Sequence, residues 1–296
     1  SILIIVICMT LCIAKKIKTE QYVFMSDSRL SGPLGTITNN ATKIFKIDVA
    51  VELPDNEPFK TSYGACFSGS YLFASLIIEA LGHFLSNIQA KSSDAHSFEN
   101  IISLARKIIE QLHKKYYYEC NGASGFKMII GGWCPIKKEF QFKEFDLTQV
   151  DNTGDVPEGK IVVSPIDFSQ QNEYYIGNPL AESEVKKLIN TKCCTTHIEA
   201  LKKVINDKKV DAVGGAIQVG LFKEKNFYVV GISESELVEV NNFWTVKDKY
   251  IFRGCEFQID DLNANNFVIT TQFGLPFDKN RDELFKEANR RNGLIL

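Results

Sequence analysis

Three short apolar runs packed between Met9 and Ile47 constrain this chain more than anything else in it. The first is Met9-Thr10-Leu11-Cys12-Ile13-Ala14. The second is Tyr22-Val23-Phe24-Met25, which ends on Ser26-Asp27-Ser28-Arg29, and the third starts at Lys43-Ile44-Phe45-Lys46-Ile47. β-Branched and aromatic residues dominate them, so Leu11 to Ile13, Tyr22 to Met25 and Lys43 to Val51 read as strands. The polar linker Lys15 to Gln21 suits a hairpin, and Ser31-Gly32-Pro33 and Asn39-Asn40 mark turns. Thr10, Asp27 and Lys43 stand at the ends of these runs and are residue types that can form one catalytic group.

A threonine hydroxyl is a weak nucleophile and needs a base beside it. If the chain began at Thr10, its own α-amine could serve, because a free amine titrates near about 7.7–8.0 and is partly neutral at physiological pH. A nearby lysine favours the neutral amine and eases loss of the hydroxyl proton. An aspartate orients that lysine and keeps it charged. On this reading Thr10 is the nucleophile, Lys43 tunes it and Asp27 holds Lys43. The same residues also fit a β-meander with a salt-bridged Asp and Lys.

The stretch resembles the start of a proteasome β-type subunit, of the N-terminal-nucleophile hydrolase superfamily, and its Met-Thr opening resembles the bacterial proteasome-like proteins. The residues that carry the resemblance are Thr10, Ser26-Asp27-Ser28-Arg29 and Lys43-Ile44. It implies an α+β fold, a four-layer αββα sandwich. It also implies hydrolysis of amide bonds, most naturally peptides, through an acyl ester on Thr10. No cofactor and no metal enter that chemistry. The resemblance further implies ring-like homo-oligomers whose helices make many of the contacts; an ATPase partner is left unspecified. Two other functions remain open: an amidase of the same fold acting on a small non-peptide amide, and a non-catalytic assembly subunit.

Residues 1–9 would then be a propeptide or a mis-assigned start, with Met9 as the true first residue. Ile2 to Ala14 is too short to span a bilayer, which takes about 20 residues. It could be the apolar core of a signal peptide, although no basic segment precedes it. The hydrolase domain is expected over 10–232 and a C-terminal extension, packed on the same domain, over 233–296.

Composition excludes several alternatives. A formal net charge of −2 over 296 residues, without a basic block, gives no footprint for nucleic acid. The eight cysteines lack paired C-x-x-C spacing and most sit in apolar runs, which argues against zinc and for a reducing, cytoplasmic location. The four histidines are dispersed and form no triad by spacing.

Further along, Phe59 to Phe67 pairs with the third strand around Leu53-Pro54-Asp55-Asn56. A helix runs from Ser70 to about Ile88, and Ser97 caps a second one. Gly125 to Cys134 and Glu139 to Phe145 form a strand pair, Asp146 to Gly159 reads as loop, and Ile161 to Ser164 and Glu173 to Ile176 are short strands. Gly177-Asn178-Pro179 opens a helix at Ala181 to Ile189, and a capping box at Thr196 and Glu199 starts another, to about Asp207. Val210 to Phe222 pairs with Phe227 to Ile232. Tyr250 to Ile259 and Phe267 to Gly274 look like extra strands, followed by a charged helix over Asp278 to Arg291.

Acyl transfer needs donors for an oxyanion. Ser68 and Gly69 end a strand where a helix begins, so backbone N–H groups there are suited to the task; they stand where the resembling family has Ala-Gly-Gly. The resemblance also places Asn178 where that family carries a serine near the threonine amine, and Asp211 where it has an aspartate before Gly-Gly. Arg29 is read as bracing the Asp27 loop.

Overall fold

The computed structural model describes residues 10–32, 35–54, 57–119, 125–151, 158–257, 273–276 and 281–292. Readings placed on residues 1–9, on the Asp55-Asn56 turn, on the ends of the extra strands within 258–272, and on the start of the last helix lie outside the described residues.

The strands are β1 (Leu11–Lys18), β2 (Gln21–Ser26), β3 (Leu30–Gly32), β4 (Gly35–Thr38), β5 (Ile44–Glu52), β6 (Phe59–Gly69), β7 (Ile88–Gln89), β8 (Phe126–Cys134), β9 (Glu139–Asp151), β10 (Glu158–Ile166), β11 (Glu173–Gly177), β12 (Gln218–Lys223), β13 (Asn226–Val240), β14 (Phe243–Phe252), β15 (Cys255–Phe257) and β16 (Phe273–Pro276). The helices are α1 (Tyr71–Leu85), α2 (Phe98–Glu119), α3 (Pro179–Asn190), α4 (His197–Asp207) and α5 (Arg281–Arg291). The fold is mixed α and β, and mostly sheet.

One sheet has the order β11-β1-β2-β12-β13-β14-β15, with β16 alongside β13; the other has the order β10-β9-β8-β6-β5-β7. Successive side chains of a strand face opposite ways, and here both faces are buried. In β1, Leu11 and Ile13 join a core shared with Ala181 and Val185 of α3 and Leu201 and Val204 of α4. Cys12 and Ala14, one residue out of phase, join a core that draws on both sheets, with Phe24, Ile44, Cys66, Ile129, Phe142 and Phe222. On the other sheet, Ile47, Tyr63, Phe67 and Met128 pack against Ile77 and Leu81 of α1 and Ile101 and Ala105 of α2. Double-sided burial explains why β2, β6 and β8 read as continuous apolar runs, whereas β5, exposed at Lys46 and Asp48, alternates.

The aromatic centre lies between the sheets. The Phe222 ring meets Phe24 at 4.8 Å, Phe142 at 5.0 Å, Phe140 at 5.6 Å and Phe227 at 4.6 Å, centroid to centroid. Buried polar contacts cross the same gap and fix how the sheets sit. The Ser62 hydroxyl donates to the Phe227 carbonyl (3.0 Å) and accepts from the Phe227 N–H (2.9 Å), and the Thr61 hydroxyl donates to the Lys225 carbonyl (2.6 Å).

Several expectations change. Asp146 to Gly159 is not a loop over its described part: β9 runs to Asp151 and β10 begins at Glu158. The Asp146 carboxylate is satisfied within the sheet by Lys127 (3.2 Å) and Thr148 (2.6 Å). Val210 to Ile217 is not strand, since β12 starts only at Gln218; Val210, Val213 and Ile217 are apolar because they fill the core around α4. α1 stops at Leu85, and Ile88-Gln89 instead lies parallel to β5. β14 begins at Phe243, seven residues before the expected strand, across a turn at Asn241-Asn242 with φ of 52° and 61°. Two asparagines with positive φ are a hairpin signal that the reading missed.

Two outcomes follow from this packing. Phe222→Ala should lower unfolding free energy by about 3–5 kcal/mol, read from chemical denaturation, because four rings lose a shared neighbour. In α2, burial holds the His113 imidazole below its ordinary value. The folded state therefore binds fewer protons than the unfolded state as pH falls below about 6.5. Stability should be retained above that pH and decline below it, and His113→Gln should reduce this slope in denaturation midpoints compared between pH 5.5 and 7.5.

Candidate active site

Apolar strands converge at one end of the two sheets, and their ends carry the polar residues. β2 ends at Ser26, β5 begins at Ile44, β6 ends at Gly69, β11 ends at Gly177 and β12 begins at Gln218. Thr10 precedes β1 at this end. Thr10, Ser26, Asp27, Ser28, Lys43, Ser68 and Gln218 are all buried there.

Asp27 is fully enclosed, and its carboxylate accepts from four donors. Oδ1 takes the Leu11 N–H (3.2 Å) and the Lys43 ammonium (3.1 Å). Oδ2 takes the Arg29 N–H (3.1 Å) and the Gly214 N–H (3.1 Å). Burying an ion pair is tolerable only where the remaining lone pairs find donors in this way. Thus one oxygen joins Lys43 to the residue next to Thr10.

Thr10 is held through its carbonyl, which accepts from the Asn178 N–H (2.8 Å) and the Ser68 hydroxyl (3.5 Å). A Cβ on Gly177, whose φ is +122°, would overlap that carbonyl oxygen and sit 3.0 Å from Ser68 Oγ. Only glycine permits so close an approach of backbone to backbone.

The register of β6 explains the position of Ser68 and Gly69. Pairing with β8 continues to Gly69↔Phe126, whereas pairing with β5 stops at Ile44↔Cys66. The last three residues of β6 thus extend past the start of β5, beside Lys43. Ser70 begins α1 with its N–H bonded to the Gly125 carbonyl (3.1 Å), and its side chain makes no cap.

The other expected residues lie around this group. Arg29 donates Nε to the Asn39 side-chain oxygen (2.9 Å) and a terminal nitrogen to the Asp211 carbonyl (3.0 Å), so it ties the Asp27 loop to two neighbouring loops. Asp211 enters through its backbone; its side chain is exposed. The Asn178 side-chain oxygen caps α3, accepting from Leu180 and Ala181 N–H (3.0 Å each). It is the Asn178 backbone that touches Thr10.

Sequence reasoning missed three features. Gln218 accepts from the Lys43 N–H (2.9 Å) and donates to the Ala41 carbonyl (2.6 Å), fixing the chain on both sides of the entry to β5. A glutamine at a strand start carries no signal without its partners. Lys127, cross-strand from Ser68, contacts Glu144 (3.3 Å) and Asp146 (3.2 Å), while the Tyr174 hydroxyl donates to Glu144 (2.5 Å) from the opposite sheet. Burial opposes the charge on Lys127, but the two carboxylates hold its ammonium above its ordinary value. Cys12 donates its thiol to the Phe67 carbonyl (3.0 Å), and burial, with Cys12 alongside, pushes the Cys66 thiol well above the usual range. That disfavours thiolate chemistry at this end. Among the described residues no cluster of three metal-ligating side chains occurs, and no helix is long and apolar enough to cross a membrane.

The stability of this arrangement rests on charge pairing. Asp27→Ala should cost about 3–5 kcal/mol in denaturant unfolding because it strands the Lys43 charge. Adding Lys43→Met should recover part of that loss in a double-mutant cycle.

No protein-family model matches the chain, and no curated protein matches it in sequence. Solved structures do resemble it. Anbu (ancestral β-subunit) from Yersinia bercovieri aligns with a TM-score of 0.50 at 13% identity, over 74% of this chain and 86% of that one. The Anbu complex of Pseudomonas aeruginosa, described as a helical assembly, aligns at 0.49 and 12%, over 74% and 85%. At such identity the first likeness concerns the fold alone. It corrects the expected resemblance to a proteasome β-type subunit: the structure that aligns at this score is an Anbu (ancestral β-subunit) protein.

Proposed function

We propose that this protein is an N-terminal threonine hydrolase of amide bonds, with peptides as the substrate class. The observation that carries the reading is the Asp27 Oδ1 atom, which accepts both the Lys43 ammonium and the N–H of the residue after Thr10. A chain beginning at Thr10 would have its free amine and hydroxyl next to that buried ion pair. The amine takes the hydroxyl proton as Oγ attacks the substrate carbonyl carbon. Backbone N–H groups at Ser68 and Gly69 receive the oxyanion. The amine then passes the proton to the leaving nitrogen, the C–N bond breaks, and an acyl ester remains on Thr10. Water, deprotonated by the same amine, hydrolyses the ester and regenerates the threonine. Lys43 stabilises the developing negative charge, and Asp27 and Arg29 keep Lys43 and its loop in place.

The three cores described above support a four-layer αββα arrangement. In it residues 10–232 form the hydrolase domain, residues 233–296 an extension on the same domain, and residues 1–9 a segment removed or never made. Exposed Leu72, Leu76 and Phe84 on α1 support self-association into an oligomer. Free cysteines at Cys12, Cys66 and Cys134 fit a cytoplasmic setting.

One observation favours a second reading, a non-catalytic assembly subunit: the Asn178 side-chain oxygen is engaged in capping α3, and the residue meets Thr10 through its backbone N–H. The test is chemical. Protein whose chain starts at Thr10 is exposed to a β-lactone and to a panel of peptide amides. Intact mass should show one acyl adduct on Thr10, and Thr10→Ala should lose amide cleavage by about 10³-fold or more. Absence of the adduct on a folded chain that starts at Thr10 would leave only the assembly reading.

A further inference from the structure

The segment after β13 has no counterpart in the chemistry above, yet it reaches the site. β14 and β15 are joined by Arg253-Gly254, both with positive φ (51° and 82°), in a two-residue hairpin with the register Phe252↔Cys255. The tip of this hairpin does not face solvent, for Gly254 is buried against Ser28. A Cβ on Gly254 would overlap Ser28 Cβ and lie 2.8 Å from Ser28 Oγ and 3.5 Å from Gln218 Nε2. With its carboxamide oriented to satisfy both of its ends, Asn40 donates to the Gly254 carbonyl and to the Asn39 carbonyl (3.1 Å each).

Ser28 is where the loops of the site meet. Its N–H donates to the Gly214 carbonyl (3.1 Å), and its carbonyl accepts from Ala41 (2.8 Å). Its hydroxyl donates to the Asn39 carbonyl and accepts from the Ala216 N–H (2.8 Å). Asp27 precedes it, and the 39–41 loop it binds leads directly into Lys43. A push on Ser28 therefore moves both members of the ion pair.

We infer that the Arg253-Gly254 turn is a positioning element for the Asp27–Lys43 pair: it closes the outer side of Ser28 and sets where the Asp27 loop stands relative to the start of β5. The extension is thus part of the active-site scaffold. Its glycine is required twice over, by backbone conformation and by the space that Ser28 occupies. The inference rests on the hydrolase reading for its effect on rate, and on contacts alone for its effect on loop order.

The test uses the full chain starting at Thr10. Gly254→Ala should slow β-lactone acylation of Thr10 about ten-fold or more, since small displacements of catalytic groups cost that much. Asn40→Ala, which removes the tether without adding bulk, should shift the rate in the same direction by less, and it carries the test if Gly254→Ala does not fold. In hydrogen–deuterium exchange, both variants should lose protection at the Arg29 and Gly214 amides, which bond Asp27, with β8 and β9 unchanged. Wild-type acylation and wild-type exchange at Arg29 and Gly214 in folded variants would overturn the inference, as would a lowered melting temperature with no local change. If the unsubstituted protein itself fails to acylate, the hydrolase reading fails, and the exchange at Arg29 and Gly214 still decides the positioning role.

Discussion

The rest of the structure depends on one buried carboxylate. Asp27 collects donors from β1, from its own loop, from the start of β5 and from the turn before β12, and it does so with no exposure to water. A lone buried charge would cost several kcal/mol. With Lys43 at 3.1 Å and three backbone N–H groups in place, that cost is met by contacts available only when four distant segments have docked together. The interaction is therefore both a condition of folding and a device that brings Lys43 to the amide beside Thr10.

The sheets supply the rigidity this requires. β2, β6 and β12 are buried on both faces at the ends that meet the site, so small shifts in register would move large side chains into the wrong core. Phe222 and its neighbouring rings fill the gap between the sheets, and Ser62, Thr61 and Cys12 carry hydrogen bonds across it. The Tyr174–Glu144 bond adds a cross-sheet link at β9, two strands away from Ser68. β11 is thereby held where Gly177 and Asn178 meet the Thr10 carbonyl. Loops carry the polar groups, but strand ends define their positions.

The extension is continuous with the sheet that carries the site. β13 runs without a break from Asn226 to Val240, pairing first with β12 and then with β14, so position 232 falls inside a strand. Beyond it, α5 packs on β14, where Asn292 bonds both the N–H and the carbonyl of Trp244 (2.7 and 2.6 Å). The returning turn then meets Ser28. Residues far along the chain thus join loops laid down near its start.

The sequence by itself determined the strand-forming runs, the helices and the three residues at the ends of the first strands. Those signals are local: β-branched content, a Thr196–Glu199 capping box, a threonine, an aspartate and a lysine each bounding an apolar run. Asp27 and Lys43 were legible because a charge at the end of a buried strand stands out against its neighbours. Only the tertiary structure decided what those residues touch. Gln218, Lys127 and Gly254 look ordinary in the chain, and Asn178 acts on Thr10 through a backbone group that no side-chain pattern encodes. The physical reason is that a hydrogen bond or a steric limit between residues nearly two hundred positions apart, such as Asp27 with Gly214, is a property of the packed arrangement. Periodicity and composition specify which faces are buried, and packing alone settles which polar atoms meet once they are.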